Sequence, residues 1–388
     1  MPRLAPYAEQ HKSPQGPGDA RPTANQIVKD QGLVDSPEWA GRVVLITGCS
    51  AGGLGPETAK AIHLTGADVY ITARDPAKGR QIAEELAADG KSGKIEVVQM
   101  DLTSLKSVRA GAQDFLRRSG NKINVLINNA GKPRHGLLGG GSISGSIWIL
   151  ANTYPQASCL APRAGPKMDL KNSWPRTTWV SISHTAVRTN IANDANVSPI
   201  GHFYLFHLLK DALIASSSPS FNSRVVLVSS AAHRYGTVNL EDLNFEKRPY
   251  DPQAGYGQSK LANIHFANEL DRRYRSRGVR ALSLHPGGIL TPLMRYMPSA
   301  SSDNIAGDAD LSRTIKNPAQ GAATSVWAAV AKELEGKGGI YLDEVAKAEL
   351  VPEDHTYYLG GYSARAFDPP TEKKLWIESL RLVGLSEE

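Results

Sequence analysis

Tyr256 and Lys260, in the run Tyr256-Gly257-Gln258-Ser259-Lys260, are the first residues whose types and spacing suggest chemistry. On a helix, positions four apart share a face. An ammonium beside a phenol favours the phenolate and lowers its pKa from about 10, giving a proton donor or acceptor usable near neutral pH. Taken alone, the spacing is common. A second signal is Thr47-Gly48-Cys49-Ser50-Ala51-Gly52-Gly53-Leu54-Gly55. Its glycines let a backbone approach a pyrophosphate, and a helix N-terminus after it offers free N–H groups. The bland alternative is a tight structural turn, and the position of the run between a strand and a helix argues against it. Arg74, in Thr72-Ala73-Arg74-Asp75, stands where an acidic residue would accept the ribose hydroxyls of NAD. A guanidinium there can pair with the 2′-phosphate of NADP, or it can be a solvated surface arginine or be held by Asp75. Ser229-Ser230 offers a hydroxyl for a substrate carbonyl, or merely a turn. In His285-Pro286-Gly287-Gly288-Ile289-Leu290-Thr291, Gly and Pro redirect the chain and expose amides that can hold a carboxamide.

These residues need strand ends and helix starts to hold them. Val43-Val44-Leu45-Ile46 is a continuous apolar run, the pattern of a strand buried on both faces of a parallel sheet. Further strands are expected at 69–72, 95–100, 123–127, 224–228, 281–284 and 339–342. Helical stretches are expected at 56–65, 78–88, 105–118, 203–215, 256–277 and 322–334. Alternation at this spacing predicts an α/β fold, a single Rossmann-type doubly wound parallel sheet. In such a sheet ligands sit outside the carboxyl ends of the strands, where the glycine turn, Arg74, Asp101 and Ser230 all fall.

Residues 1–40 are rich in Pro, Gly, Gln and charge, and predict a flexible leader whose last part, 26–39, packs on the domain. Residues 41–388 then form one domain, interrupted at 132–200 by an irregular insert without strand–helix alternation. The 388 residues would suit two or three domains by length, whereas the motifs fit one. Two cysteines, Cys49 and Cys159, exclude a disulfide framework and a multi-cysteine zinc module. The net charge of +6 is spread along the chain and implies no nucleic-acid partner. No apolar run is long enough to span a membrane, and no secretory h-region stands near Met1, so a cytoplasmic protein is expected.

The order of these motifs resembles that of the short-chain dehydrogenase/reductase family. The glycine turn, Asn128-Asn129-Ala130-Gly131, a serine after the fifth strand, Tyr-x-x-x-Lys and Pro-Gly-x-x-x-Thr follow one another in the family's order. The runs SSAAHRYG, YGQSKLANIHFANEL, LHPGGILTPL and DPPTEKKLWIESLRLVG look like the branch containing retinol dehydrogenases and the WW-domain-containing oxidoreductase. The resemblance covers about residues 41–131 and 201–388. It implies an NADP(H)-dependent enzyme interconverting an alcohol and a ketone or aldehyde on a small apolar substrate. Tyr256 would be the general acid/base and also contact the cofactor, Lys260 its activator and the holder of the nicotinamide ribose, and Ser230 the group orienting the carbonyl. Gly48, Ser50, Gly52 and Gly55 would form the cofactor turn, Arg74 would select NADP(H), and Asp101 would sit by the adenine. Asn129 and Gly131 would line the cofactor, and Ile289 and Thr291 would meet its carboxamide and phosphates. Members of the family often pair as homodimers through the two central helices.

Two departures qualify the resemblance. The glycine turn is one residue longer than usual, with either Gly52 or Gly53 extra. More seriously, the helix that in the family opens Asn-His-x-Gly-His-Phe resumes here only at Gly201-His202-Phe203, and Ser198 takes the place of the family's asparagine. The intervening stretch reads as a substrate-lid insertion, as a membrane-docking loop around 147–150, or as an unspliced intron or gene-model error. The abrupt return of family-like text at Gly201 favours the last. The alternative function is therefore a cofactor-binding but catalytically impaired chain.

Overall fold

The computed structural model describes residues 4–88, 90–131, 197–290, 307–353, 355 and 359–387. The stretch 132–196, Thr291 and Cys159 lie outside the described residues, and so do the expectations that fall on them.

Two short helices precede the sheet, α1 (Ala8–His11) and α2 (Ala24–Asp30). The alternation then runs β1 (Val43–Ile46), α3 (Leu54–His63), β2 (Asp68–Ala73), α4 (Pro76–Ala87), β3 (Ile95–Gln99), α5 (Leu105–Ser119) and β4 (Val125–Asn128). After 132–196 it continues as α6 (Val197–Ala215), β5 (Ser223–Val228), α7 (Pro252–Tyr274), β6 (Val279–Leu284), α8 (Ala309–Thr314), α9 (Pro318–Gly321), α10 (Ala323–Val330), β7 (Ile340–Asp343), β8 (Ala346–Lys347) and α11 (Pro369–Leu382). The strands form one sheet in the order β3-β2-β1-β4-β5-β6-β7-β8. All neighbours are parallel except β7 and β8. The expected doubly wound α/β sheet is therefore present. The strand order reverses between β1 and β4, which opens a crevice at their carboxyl ends.

Both faces of the sheet are covered, which is why its central strands read as unbroken apolar runs. One face packs Val44 and Ile46 against Ile27, Ile62 and Trp327 from α2, α3 and α10. The other packs Leu45 and Leu126 against Phe115, Phe206 and Trp376 from α5, α6 and α11. Polar caps set the starts of several helices. Asp75 accepts from Ala77 N and Lys78 N at α4, and Asp251 accepts from Ala254 N at α7.

The leader is seated on the domain in two places, its later part through α2 and its earlier part through Arg21. Arg21 is 3% exposed, and its guanidinium donates to the carbonyls of Gly16, Thr314 and Ile315. The Gln320 amide accepts from Gly18 N and donates to the Arg21 carbonyl. These contacts end mostly on backbone carbonyls, so they leave no apolar periodicity for sequence reasoning to find. Helix boundaries shift as well. α7 begins at Pro252, because Asp251 caps it and proline suits a first turn. Among the described residues, no helix is long and apolar enough to cross a membrane.

Candidate active site

The site lies at the carboxyl ends of β1, β2, β4, β5 and β6. Gly48 follows β1 with φ +76°, and a Cβ on it would stand 2.6 Å from Ala130 Cα in the loop after β4. A side chain there would fill the crevice between the two loops. Gly52 also takes a left-handed φ, +71°, whereas Gly53 is extended and serves as the N-cap of α3. The longer turn is thus accommodated at Gly52, where glycine removes the steric cost. Gly55 brings the helix onto the turn: a Cβ would meet Gly48 O at 2.8 Å and Cys49 Sγ at 2.9 Å. Among the described residues no side chain caps α3, so the N–H groups of Leu54 and Gly55, with the positive end of the helix dipole, are available to an anion. This cradle fits a dinucleotide pyrophosphate. Ser50 lies exposed in the same turn, while the Cys49 thiol is buried and its pKa is pushed up, which makes it inert.

The two loops are tied together through Thr47. Its hydroxyl oxygen accepts from Asn129 N and Ala130 N, both at 3.1 Å. The Asn129 amide donates to Thr47 O at 2.9 Å and Gly48 O at 3.3 Å. Asn129 therefore shapes the wall of the cradle by fastening its two halves. Sequence reasoning missed His202, which lies 1% exposed on α6 with Nε2 2.8 Å from Thr47 Oγ1. With two amides already donating to Thr47, its hydroxyl proton has two acceptors in reach, His202 Nε2 at 2.8 Å and the Ile127 carbonyl at 3.5 Å, and the shorter contact is to the ring. Burial first, and the nearby Lys260 charge second, hold the His202 pKa down to about 3, so the ring is neutral. Thr47 and His202 stand 155 positions apart in sequence, and no local pattern links them.

At the end of β2, Arg74 is exposed, and among the described residues no hydrogen bond or ion pair engages it. Asp75 is occupied in capping α4, so the sequence-level competition for Arg74 is resolved. Asp101, after β3, is half-buried and accepts from Thr103 N at 3.0 Å.

The two serines after β5 separate in role. Ser229 Oγ donates to Lys260 O at 2.6 Å, a structural contact that anchors α7. Ser230 Oγ accepts from Ala232 N at 3.2 Å, which leaves its own proton to give. Lys260 is 5% exposed and donates to Val228 O at 3.2 Å. Its Nζ lies 5.5 Å from the centre of the Tyr256 ring. A Cβ on Gly131 would come within 3.1 Å of that Nζ, so Gly131 borders the lysine. Burial lowers the Lys260 pKa from 10.5 to about 8. Two glycines let the serine loop press on α7. A Cβ on Gly236 would stand 2.2 Å from Gly257 O, and one on Gly257 would stand 3.0 Å from Ala232 O. The proton-bearing groups of β5 and α7 are thus brought to the same end of the sheet as the glycine cradle.

Behind them runs the loop after β6. His285 Nδ1 accepts from Ala231 N at 3.2 Å, fastening this loop to the serine loop. Ile289 pairs with Lys316 in a parallel bridge, and both Ile289 and Leu54 close on Gly321, where a Cβ would meet them at 2.6 and 2.8 Å. Gly321 and Lys316 escaped sequence reasoning because their work is a close approach between distant segments. Thr291 lies outside the described residues, as does the side chain of Ser198.

A family model described as short chain dehydrogenase matches residues 42–139. The oxidoreductase calI of Penicillium decumbens is 39% identical over 389 residues, covering 98% of each chain. Short-chain dehydrogenase/reductase prx1 of Penicillium roqueforti is 37% identical over 98% of this chain and 96% of its own. Mouse retinol dehydrogenase 12 is 32% identical over 90% of this chain and 88% of its own. Among solved structures, an uncharacterized protein of Mycobacterium paratuberculosis superposes with a TM-score of 0.54 at 29% identity, over 90% of this chain and 95% of its own. The 3-oxoacyl-[acyl-carrier protein] reductase of Brucella melitensis shares the fold, with a TM-score of 0.52 at 20% identity, over 81% of this chain and 93% of its own.

Proposed function

The chain belongs to the short-chain dehydrogenase/reductase family, and from that premise we propose that it is an NADP(H)-dependent oxidoreductase interconverting an alcohol and a ketone or aldehyde on a small apolar substrate. The observation that carries the reading is the convergence of Ser230, Tyr256 and Lys260 with the glycine cradle at one end of the sheet.

A bound nicotinamide cofactor would supply hydride transfer chemistry, in either direction, to the carbonyl or alcohol carbon. The cradle of Gly48, Ser50, Gly52 and Gly55, with the open start of α3, would hold the pyrophosphate. Arg74 would meet the 2′-phosphate, a reading supported by its exposure and by the lack of a competing partner among the described residues. Asp101 lies toward the adenine, and Asn129 and Gly131 shape the wall toward Lys260. Ile289, with Thr291 beyond it, would hold the carboxamide end. Tyr256 gives its proton to the carbonyl oxygen, and the Ser230 hydroxyl donates to the developing oxyanion. Lys260, as the ammonium, favours the phenolate that Tyr256 leaves behind. A cytoplasmic location, expected from the lack of a membrane-length apolar run and of a secretory h-region in the sequence, and pairing through α6 and α7, which rests on the family resemblance, belong to the same proposal.

The test follows absorbance at 340 nm across a panel of apolar aldehydes and ketones, with NADPH and with NADH. Turnover with NADPH in preference to NADH supports the reading. Tight NADPH binding without oxidation of the cofactor by any member contradicts it, and would favour the catalytically impaired alternative.

A further inference from the structure

Arg21 is a charged side chain buried in the leader, 3% exposed. A buried guanidinium is costly unless its donors are met. Here Nη1 donates to Thr314 O at 2.7 Å, and Nη2 donates to Ile315 O at 2.7 Å and Gly16 O at 3.1 Å. Nε donates to Asp19 Oδ1 at 2.9 Å. The leader is held a second time by Gln320, whose amide nitrogen reaches Asp19 Oδ1 at 3.0 Å and whose oxygen accepts from Gly18 N at 2.9 Å.

The carbonyls that Arg21 holds lead directly into Lys316. Lys316 N donates to Gly288 O at 2.8 Å, and its side chain is 2% exposed. A Cβ on Gly287 would lie 2.9 Å from Lys316 Cδ, so the lysine stem forms the floor of the Gly287-Gly288 turn. The Lys316 ammonium pairs with Glu344 at 2.9 Å. A continuous set of packed and hydrogen-bonded groups therefore joins the leader to the loop after β6.

We propose that Arg21 is a positioning residue: through residues 314–316 it sets the loop Gly287-Gly288-Ile289 against the nicotinamide end of the cofactor. The proposal rests on the NADP(H) reading above, since that reading gives the loop its ligand. It makes the leader a working part of the cofactor site. The adenosine half, at Arg74 and Asp101, follows β2 and β3, across the β1–β4 switch from the loop after β6.

The test uses the full-length chain with Arg21→Met and Arg21→Lys, and titrates two probes, NADPH and adenosine 2′,5′-bisphosphate. The second probe occupies only the adenosine half. NADPH affinity is expected to fall on the order of ten-fold in R21M, and less in R21K, with affinity for the bisphosphate unchanged. Equal losses for both probes would mean that Arg21 only supports the fold, and unchanged affinities would mean that the leader and the loop are independent. Either result overturns the proposal. Should R21M fail to fold, R21K decides by the same ratio. Wild-type protein that binds neither probe would overturn the NADP(H) reading itself and this proposal with it.

Discussion

Residues in this site divide by whether their polar groups are already used. Asp75 is spent on a helix cap, Ser229 on a carbonyl of α7, and Asn129 on the backbone of the glycine turn. Among the described residues no partner takes the Arg74 guanidinium, and Ser230 Oγ accepts a backbone N–H and so keeps its own proton. Sequence reading could nominate all of these residues but could not say which were spent, because that depends on partners fixed by the fold. Replacing Arg74 with Ala should remove a charge-assisted contact of about 1.5–3 kcal/mol, roughly ten- to a hundred-fold in affinity for NADPH. Affinity for NADH should stay unchanged. Titration of both cofactors checks this, and parallel losses would deny Arg74 its place at the 2′-phosphate.

Elements place these groups through close approaches that only glycine permits. Gly236 lies against the backbone of Gly257, and this contact sets the serine loop against the start of α7. A methyl group at Gly236 must displace one element from the other, at a cost of about 1–3 kcal/mol. Gly236→Ala should therefore lower kcat and the melting temperature while leaving NADPH binding intact. Steady-state kinetics beside a cofactor titration separates these effects, and an unchanged kcat would show that the contact does not align the two loops. The strands and most helices of the domain were legible in the sequence, because double-sided burial writes itself as apolar runs. The strand β8 was not, being only two residues long. The seat of the leader escaped for a different reason: its acceptors are backbone carbonyls, which any sequence supplies.

The molecule as a whole depends on buried neutral histidines. His202 and His233 are 1% and 0% exposed, and burial lowers their pKa values to about 3 and about 4. The unfolded chain holds them near 6.5, so it binds more protons than the folded chain between these values. Stability must then rise with pH up through 6.5 and be lost as pH falls below it. Between pH 7 and pH 5 each histidine should remove about 2 kcal/mol of stability. Urea unfolding at the two pH values checks this: a midpoint clearly lower at pH 5 is expected, and equal midpoints would contradict the burial of neutral rings. His202 also joins stability to the site, since it holds the Thr47 hydroxyl that fastens both cradle loops.

The central claim is that Tyr256 transfers the proton at a site that binds cofactor independently of it. Tyr256→Phe removes one oxygen from a half-buried ring at the start of α7 and leaves Lys260, Ser230 and the glycine cradle in place. Measured on one preparation, kcat should fall at least about a hundred-fold, the scale of general acid catalysis, while the NADPH dissociation constant stays within about two-fold. Near wild-type turnover in this variant would contradict the account.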